Sequence, residues 1–340
     1  MKKRLGAAFF LTPVAAIYLM NASWNAGASE GALQIVSHRG VHQTFDSKEV
    51  DANTCTAAII DPPSHHFIEN TTESMKAAFD YGADAVEVDV HATVDGEFVV
   101  FHDWTVDCRT EGEGVTRELT SAYLKTLDVG YGYTADGGAT WPLRGKGVGA
   151  MPLLREVFSE FPEGRFVINV KGNKSRDAEP LLGYLNDHAL SGQVLAIVSG
   201  PSFAGEFNAL SSQIRASSRK TVKACLQSYL LRGWTGFVPS ECAYGVAFPQ
   251  NLAPLLWGWP KRFSNRFGDR DYFVMMVGPL SANTQGVDTP EGFARVPLSF
   301  RGAVMTNKIE IIGPLRAQRA EEAAKSGRVR TKDATSQKEG

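Results

Sequence analysis

The sharpest pattern in the chain lies at residues 85–103. Val86, Val88 and Val90 alternate with Glu87, Asp89 and His91. A period of two is strand periodicity, so both carboxylates leave the strand on one face, two residues apart. Asp95-Gly96 then supplies a tight turn, and a second β-rich run climbs to His102-Asp103. Two carboxylates among valines are unfavourable unless something positive sits between them. A divalent cation is the expected partner.

The same alternation of short apolar runs with amphipathic stretches extends along the chain. Gln34–Ser37 reads as a strand that runs into His38-Arg39-Gly40. Residues 41–68 form a polar loop long enough to act as a lid. A helix is expected from Asn70, a good N-cap, with Glu73 at the capping-box position and Met75, Ala78 and Phe79 as its apolar stripe. Gly82 ends it. Residues 104–150, rich in Gly, Thr and Asp, read as an excursion that caps one end of the fold. A helix restarts at Met151–Phe158. In the strand Phe166–Lys171, Asn169 and Lys171 share a face. Further strands are expected at 195–198, 214–217, 245–248, 272–277 and 302–305, with a helix at 221–231 and an interrupted one at 252–267. From Arg316 the chain is charged with little apolar content, and residues 316–340 are expected to be a flexible tail or a frayed helix.

Eight or nine strands alternating with helices predict an α/β fold with a parallel sheet. His38, Glu87, Asp89, His102, Asn169 and Lys171 lie at the ends of different early strands. A (β/α)8 TIM barrel gathers its active site in that way. An open sheet would use one crevice and usually a Gly-rich phosphate loop, and no such fingerprint is present. The expectation is therefore a TIM barrel over 29–315, with a capping insertion, 104–150, after the third strand.

Composition changes the picture in two places. With 340 residues and a formal net charge of -2, the chain carries no global field that points to nucleic acid. The N-terminus reads as an export signal over 1–28. Met1-Lys2-Lys3-Arg4 is basic, Leu5–Met20 is almost wholly apolar, and Ala26-Gly27-Ala28 suits cleavage after Ala28. An uncleaved membrane anchor is the alternative. The protein is accordingly expected to be periplasmic or secreted. Export predicts that Cys55, Cys108, Cys225 and Cys242 form two disulfides. Three pairings exist, and Cys55–Cys108 with Cys225–Cys242 is favoured.

The ordered set His38-Arg39-Gly40, Glu69-Asn70-Thr71, Gly82-Ala83-Asp84, Glu87-x-Asp89, Thr93-x-Asp95-Gly96 and His102-Asp103 resembles the glycerophosphodiester phosphodiesterase family. Met151-Pro152-Leu153, Val170-Lys171 and Gly302–Asn307 extend the likeness. It is specific over 34–171 and thin over 172–300. The resemblance implies a TIM barrel that hydrolyses small glycerophosphodiesters to glycerol 3-phosphate and an alcohol. Three features depart from it. The loop between Gly40 and Glu69 is long, Asn169-Val170-Lys171 stands where Glu-x-Lys is typical, and Thr306-Asn307 stands where Thr-Asp is usual.

On this reading Glu87 and Asp89 hold Ca²⁺ or Mg²⁺, because hard oxygen donors suit hard cations. Asn169 offers a neutral carbonyl in place of a third carboxylate, so weaker metal affinity or a different ligand set is expected. Glu69 joins as a ligand or as a helix-start acid favoured by the dipole. His38 and His102 form the acid/base pair, with His38 taken as acid and His102 as base. Arg39 and Lys171 bind the phosphate, and Arg39 also pairs with Glu69. His91 is expected to be structural; His42, His65 and His66 lie in the long loop within reach of the site and are expected to be solvated rather than part of it. Tyr131, Tyr133 and Trp141 shape the alcohol pocket or pack the lid. Two other functions fit the same residues: a phospholipase D-like enzyme acting on lysophospholipids or sphingomyelin, and a non-catalytic barrel that binds phosphate esters. Peripheral membrane contact is a further expectation, although no long apolar interfacial helix follows Ala28.

Overall fold

The computed structural model describes residues 13–27, 31–46, 50–51, 54–280 and 286–336. The expected cleavage position after Ala28 lies outside them, as do residues 1–12 and 337–340.

Residues 13–21 form a helix, α1. Strand β1 (Gln34–His38) leads through a long loop to α2 (Thr72–Asp80). β2 (Ala85–Ala92) and β3 (Phe98–Val100) form an antiparallel hairpin. The excursion that follows holds the short α3 (Ser121–Leu124) and ends at α4 (Leu154–Glu160). From there strand and helix alternate: β4 (Phe166–Val170), α5 (Ala178–Asp187), β5 (Val194–Val198), α6 (Pro201–Leu210), β6 (Ala216–Ser217) and α7 (Arg219–Arg232). The chain closes with β7 (Val246–Pro249), α8 (Lys261–Gly268), β8 (Val274–Val277), α9 (Pro290–Ala294), β9 (Ala303–Thr306) and α10 (Ile309–Ser336).

Eight strands are parallel in the order β6-β5-β4-β2-β1-β9-β8-β7, with β3 pairing outside that path. This is a nearly closed (β/α)8 barrel whose ladder is open between β6 and β7. The valines of β2 explain the closure. Val86, Val88 and Val90 pack outward with Met75 of α2 and Leu154 of α4. Glu87 and Asp89 therefore face the barrel interior. Both faces of the strand are buried, as a barrel requires.

The long loop and the insertion fold together into a cap with its own core, including Ala57, Ile60, Ile68, Leu127, Val129, Tyr133 and Leu143. The disulfide Cys55–Cys108 joins loop to insertion. Cys225–Cys242 pins α7 to the turn before β7. Both pairings match the expected ones.

Two local features differ from expectation. The N-cap of α2 is Thr71, whose hydroxyl accepts from the Ser74 amide. Asn70 instead turns inward at φ +59°. His42 is buried rather than solvated, because the loop folds back over it. Helix α10 runs on through 316. Arg316 reaches Asp84 at 2.9 Å and the Gly82 carbonyl at 3.2 Å, which ties that part of the helix to the barrel.

Candidate active site

Strand register assembles the site. His38 pairs with Glu87 across β1 and β2, and Asp89 pairs with Asn169 across β2 and β4. Thr306, next to Asn307, pairs with Ser37 of β1. One layer at the carboxyl ends of four adjacent strands thus carries most of the expected residues. Gly40 lets the chain turn sharply after His38-Arg39. It has φ +79°, and a Cβ there would lie 2.4 Å from Ser74 Oγ and 2.8 Å from the Ser74 carbonyl carbon.

Asp89 is fully buried and surrounded by donors. Lys171 Nζ lies 2.7 Å from Oδ1 and Arg39 Nε 3.0 Å from Oδ2. Asn169 Nδ2 donates to Oδ1 at 3.1 Å and Asn70 Nδ2 to Oδ2 at 3.0 Å. Asn70 Oδ1 also accepts the Asp89 amide. Burial alone would raise the carboxyl pKa, but Lys171 and Arg39 outweigh it and hold Asp89 well below the ordinary range. Glu87 is the opposite case. Burial and the Asp89 charge push it up to about 8. Its Oε2 is buried without a hydrogen-bond partner and lies 3.7 Å from His38 Nε2.

Two relays orient the histidines. His38 Nδ1 lies 2.6 Å from Asn307 Oδ1, and Asn307 Nδ2 donates to Asp288 Oδ2 at 2.8 Å. Asp288 therefore fixes the amide orientation. Nδ1 of His38 must carry the proton, which leaves Nε2 as a bare lone pair facing the site. Burial, Arg39 and His42 lower its pKa to about 3. His102 Nδ1 lies 2.6 Å from Asp103 Oδ1. Behind it runs a chain of alternating charge. Asp103 Oδ2 accepts from Arg109 Nε at 2.8 Å, and Arg109 Nη1 lies 3.1 Å from Glu69 Oε2. Glu69 Oε1 accepts from Arg39 Nη1 at 2.9 Å, which returns the chain to Asp89. Glu69, although buried, is held down at about 2 by Arg109 and Arg39. Burial lowers the His102 pKa, with Arg39 helping and Asp89 and Asp103 opposing.

All eight expected site residues thus converge. Four others belong to the same network without having been singled out for it: Asn70, Arg109, Asp288 and His42. Arg109 had one signal. It adjoins Cys108, and Thr56 adjoins Cys55, so the favoured disulfide places the two together. Arg109 Nη2 donates to Thr56 Oγ1 at 2.7 Å. His42 carries an unpartnered buried Nε2, and its ring stands 5.8 Å from that of His38. Tyr133 is buried, with its hydroxyl taken by Arg109, and Tyr131 and Trp141 sandwich the Arg144 guanidinium. These three aromatics hold the cap together.

The family model described as "Glycerophosphoryl diester phosphodiesterase family" matches residues 38–224. The chain belongs to this family. Among curated members, the glycerophosphodiester phosphodiesterase of Caldanaerobacter subterraneus is 37% identical over 103 residues, covering 30% of this chain and 39% of that protein. The Bacillus subtilis enzyme of the same name is 32% identical over 133 residues, 37% of this chain and 43% of that one. The matched stretch thus spans about two-fifths of these relatives' length. The fold matches a glycerophosphoryl diester phosphodiesterase domain from Mycobacterium tuberculosis, with TM-score 0.59, 15% identity and coverage of 84% and 99%. It also matches an Oleispira antarctica phosphodiesterase solved in complex with sn-glycerol-3-phosphate, with TM-score 0.52, 18% identity and coverage of 83% and 96%.

The orphaned oxygen of Glu87 tests whether a cation fits. A buried carboxylate with a raised pKa needs a proton or a positive neighbour. Asp89 stands two residues along the same interior face, and the Asn169 carbonyl oxygen is a third hard donor. These residues fit a divalent cation, with limits. Among the described residues no group of three or more His, Cys, Asp or Glu side chains is arranged to hold a metal. Glu69 is shared by Arg39 and Arg109 and Asp89 by Arg39 and Lys171, so either carboxylate would exchange a cationic partner to become a ligand, whereas Glu87 would not.

Proposed function

We propose that the chain is a glycerophosphodiester phosphodiesterase that releases glycerol 3-phosphate and an alcohol. The observation that carries the reading is the pair of imidazoles, each fixed through Nδ1 at the carboxyl end of the barrel, beside buried Arg39 and Lys171. The Oleispira antarctica protein shares the fold and was solved with sn-glycerol-3-phosphate, which supports a substrate of that class.

In this reading the phosphate enters against Arg39 and Lys171, which offset its charge. Glu87, Asp89 and the Asn169 carbonyl would hold Ca²⁺ or Mg²⁺, whose chemistry is to polarise a phosphoryl oxygen. The histidine partners favour the reverse of the roles expected from sequence. His38 is neutral with a bare Nε2, the form that accepts a proton from the attacking oxygen. Burial disfavours the His102 imidazolium, but the Asp103 carboxylate behind it opposes that, as a group that must donate to the leaving alkoxide requires.

Turnover of glycerophosphocholine by the full chain, read as glycerol 3-phosphate released in Ca²⁺, Mg²⁺ or EDTA, tests the activity. His38→Ala is expected to abolish hydrolysis of every substrate. His102→Ala is expected to abolish it for glycerophosphocholine but to spare a p-nitrophenyl phosphodiester, whose leaving group needs no acid. The opposite pattern restores the sequence-based roles. No turnover in any condition removes the enzyme reading.

A further inference from the structure

The segment at residues 13–27 is built into the barrel wall, although the sequence casts it as part of a removable signal. Asn21 Nδ2 donates to the Trp234 carbonyl at 2.9 Å. Ser23 Oγ lies 2.8 Å from the Gly258 carbonyl and 2.7 Å from that of Trp259, and it accepts the Lys261 amide. Arg262 Nη2 donates to the Asn25 carbonyl at 2.9 Å. Asn21 and Ala22 are buried by this docking. Removal after Ala28 would leave the Trp234, Gly258 and Trp259 carbonyls and the start of α8 without these partners.

Around the docked segment the surface is apolar and aromatic. Trp24 is 68% exposed and Leu231 75% exposed; Tyr18, Leu19, Trp234 and Leu255 are exposed as well. The elements that carry these side chains are joined to one another. Asn21 ties α1 to the Trp234 turn, and Trp257 Nε1 donates to the Leu230 carbonyl, which ties the loop after β7 to α7. Tyr18 and Trp24 meet edge to face with centroids 5.4 Å apart. The charged side chains of the two flanking helices themselves have one sign. α7 carries Arg219, Lys220, Lys223 and Arg232, α8 carries Lys261, Arg262 and Arg266, and neither helix contains an acid. At 100° per residue, Lys220 falls on the same side of α7 as Leu231, and Lys223 on the same side as Leu230. The whole chain has a net charge of -2, so this flank is a local concentration of positive charge.

We propose that the N-terminal segment is retained and that this flank of the barrel rests on an anionic lipid surface. Tyr and Trp prefer the boundary between headgroups and acyl chains, and basic side chains beside them attract anionic lipid. In the sequence, the apolar run Leu5–Met20 ends with Tyr18 and Leu19 of this patch. A second copy of the chain is a poorer occupant, because a twofold contact would bring the basic helices of α7 and α8 against their own kind.

Flotation of the full chain with vesicles of phosphatidylcholine, alone or mixed with phosphatidylserine, tests this. Binding is expected with the mixed vesicles. Trp24→Ala and the pair Leu231→Ser with Leu255→Ser are each expected to lower the bound fraction about tenfold or more. Lys220→Glu with Lys223→Glu, which touches no buried residue, is expected to do the same. Turnover should be unchanged in all of them, so loss of binding and loss of activity are separate readouts. Three results overturn the proposal: variants that bind as the parent does, active exported protein whose intact mass lacks residues 1–28, or a patch-dependent dimer with no lipid binding.

Discussion

At the residue scale the site is organised around two carboxylates with opposite fates. Asp89 accepts from two amides, lies against two cations and stays ionised, whereas Glu87 keeps an unpartnered oxygen. The residue that separates the two is Asn169, which spends its amide nitrogen on Asp89 and brings no charge. Asn169→Glu is therefore expected to raise divalent cation affinity by about tenfold or more, as an anionic ligand replaces a neutral one. A cation titration followed by thermal unfolding reads this, because a ligand at free concentration L that binds the folded state stabilises it by RT ln(1 + L/Kd). Equal midpoints for parent and variant would place the cation away from Asn169. The strand residues of this site were legible in the sequence because a period of two fixes which side chains share a face. Asn70 was not, because its spacing before a helix reads equally as a cap. Only the backbone at φ +59° turns its side chain to Asp89. Asp288 was hidden for a different reason: it acts through Asn307, 19 residues along the chain.

At the element scale the barrel came from alternation, and the cap did not. Each barrel strand announces itself by a short apolar run bounded by turns. The loop at 41–68 and the insertion at 104–150 lack such periodicity, and only their disulfide hinted that they pack as one body. That bridge closes a loop with a sequence separation of 53 residues. Loop-closure entropy alone assigns it about 4 kcal/mol of stability. Replacing Cys55 and Cys108 together by serine is expected to lower the unfolding free energy by about that amount. The cap positions Arg109, so turnover should fall as well, while Cys225→Ser with Cys242→Ser should destabilise the fold with less effect on turnover. Denaturant unfolding and a rate assay on both pairs check this. A Cys55/Cys108 variant with full activity would show that the barrel alone fixes His102 and Glu69.

At the scale of the whole molecule, the buried ionisable groups set how stability depends on pH. His38 and His91 are lowered from 6.5 to about 3 and about 4, in both cases chiefly by burial. Burial lowers His42 and His102 as well. Below pH 6.5 the unfolded chain binds protons at these imidazoles that the fold refuses, so their contribution is present above 6.5 and lost as the solution is acidified. Glu87 is raised from 4.5 to about 8. Its contribution has the opposite sign, being complete below 4.5 and lost as pH rises through about 8. The histidines outnumber the single carboxyl, so stability should rise from pH 4.5 to about 6.5 and then decline toward pH 8. Thermal unfolding across this range in EDTA should show that maximum. Glu87→Gln, which keeps the shape and cannot ionise, should remove the alkaline decline alone. Excess Ca²⁺ or Mg²⁺ should remove it too if Glu87 takes the cation, because a bound cation stabilises the ionised carboxylate. An alkaline decline that survives in Glu87→Gln would assign it to another group and leave the orphaned oxygen without a thermodynamic signature.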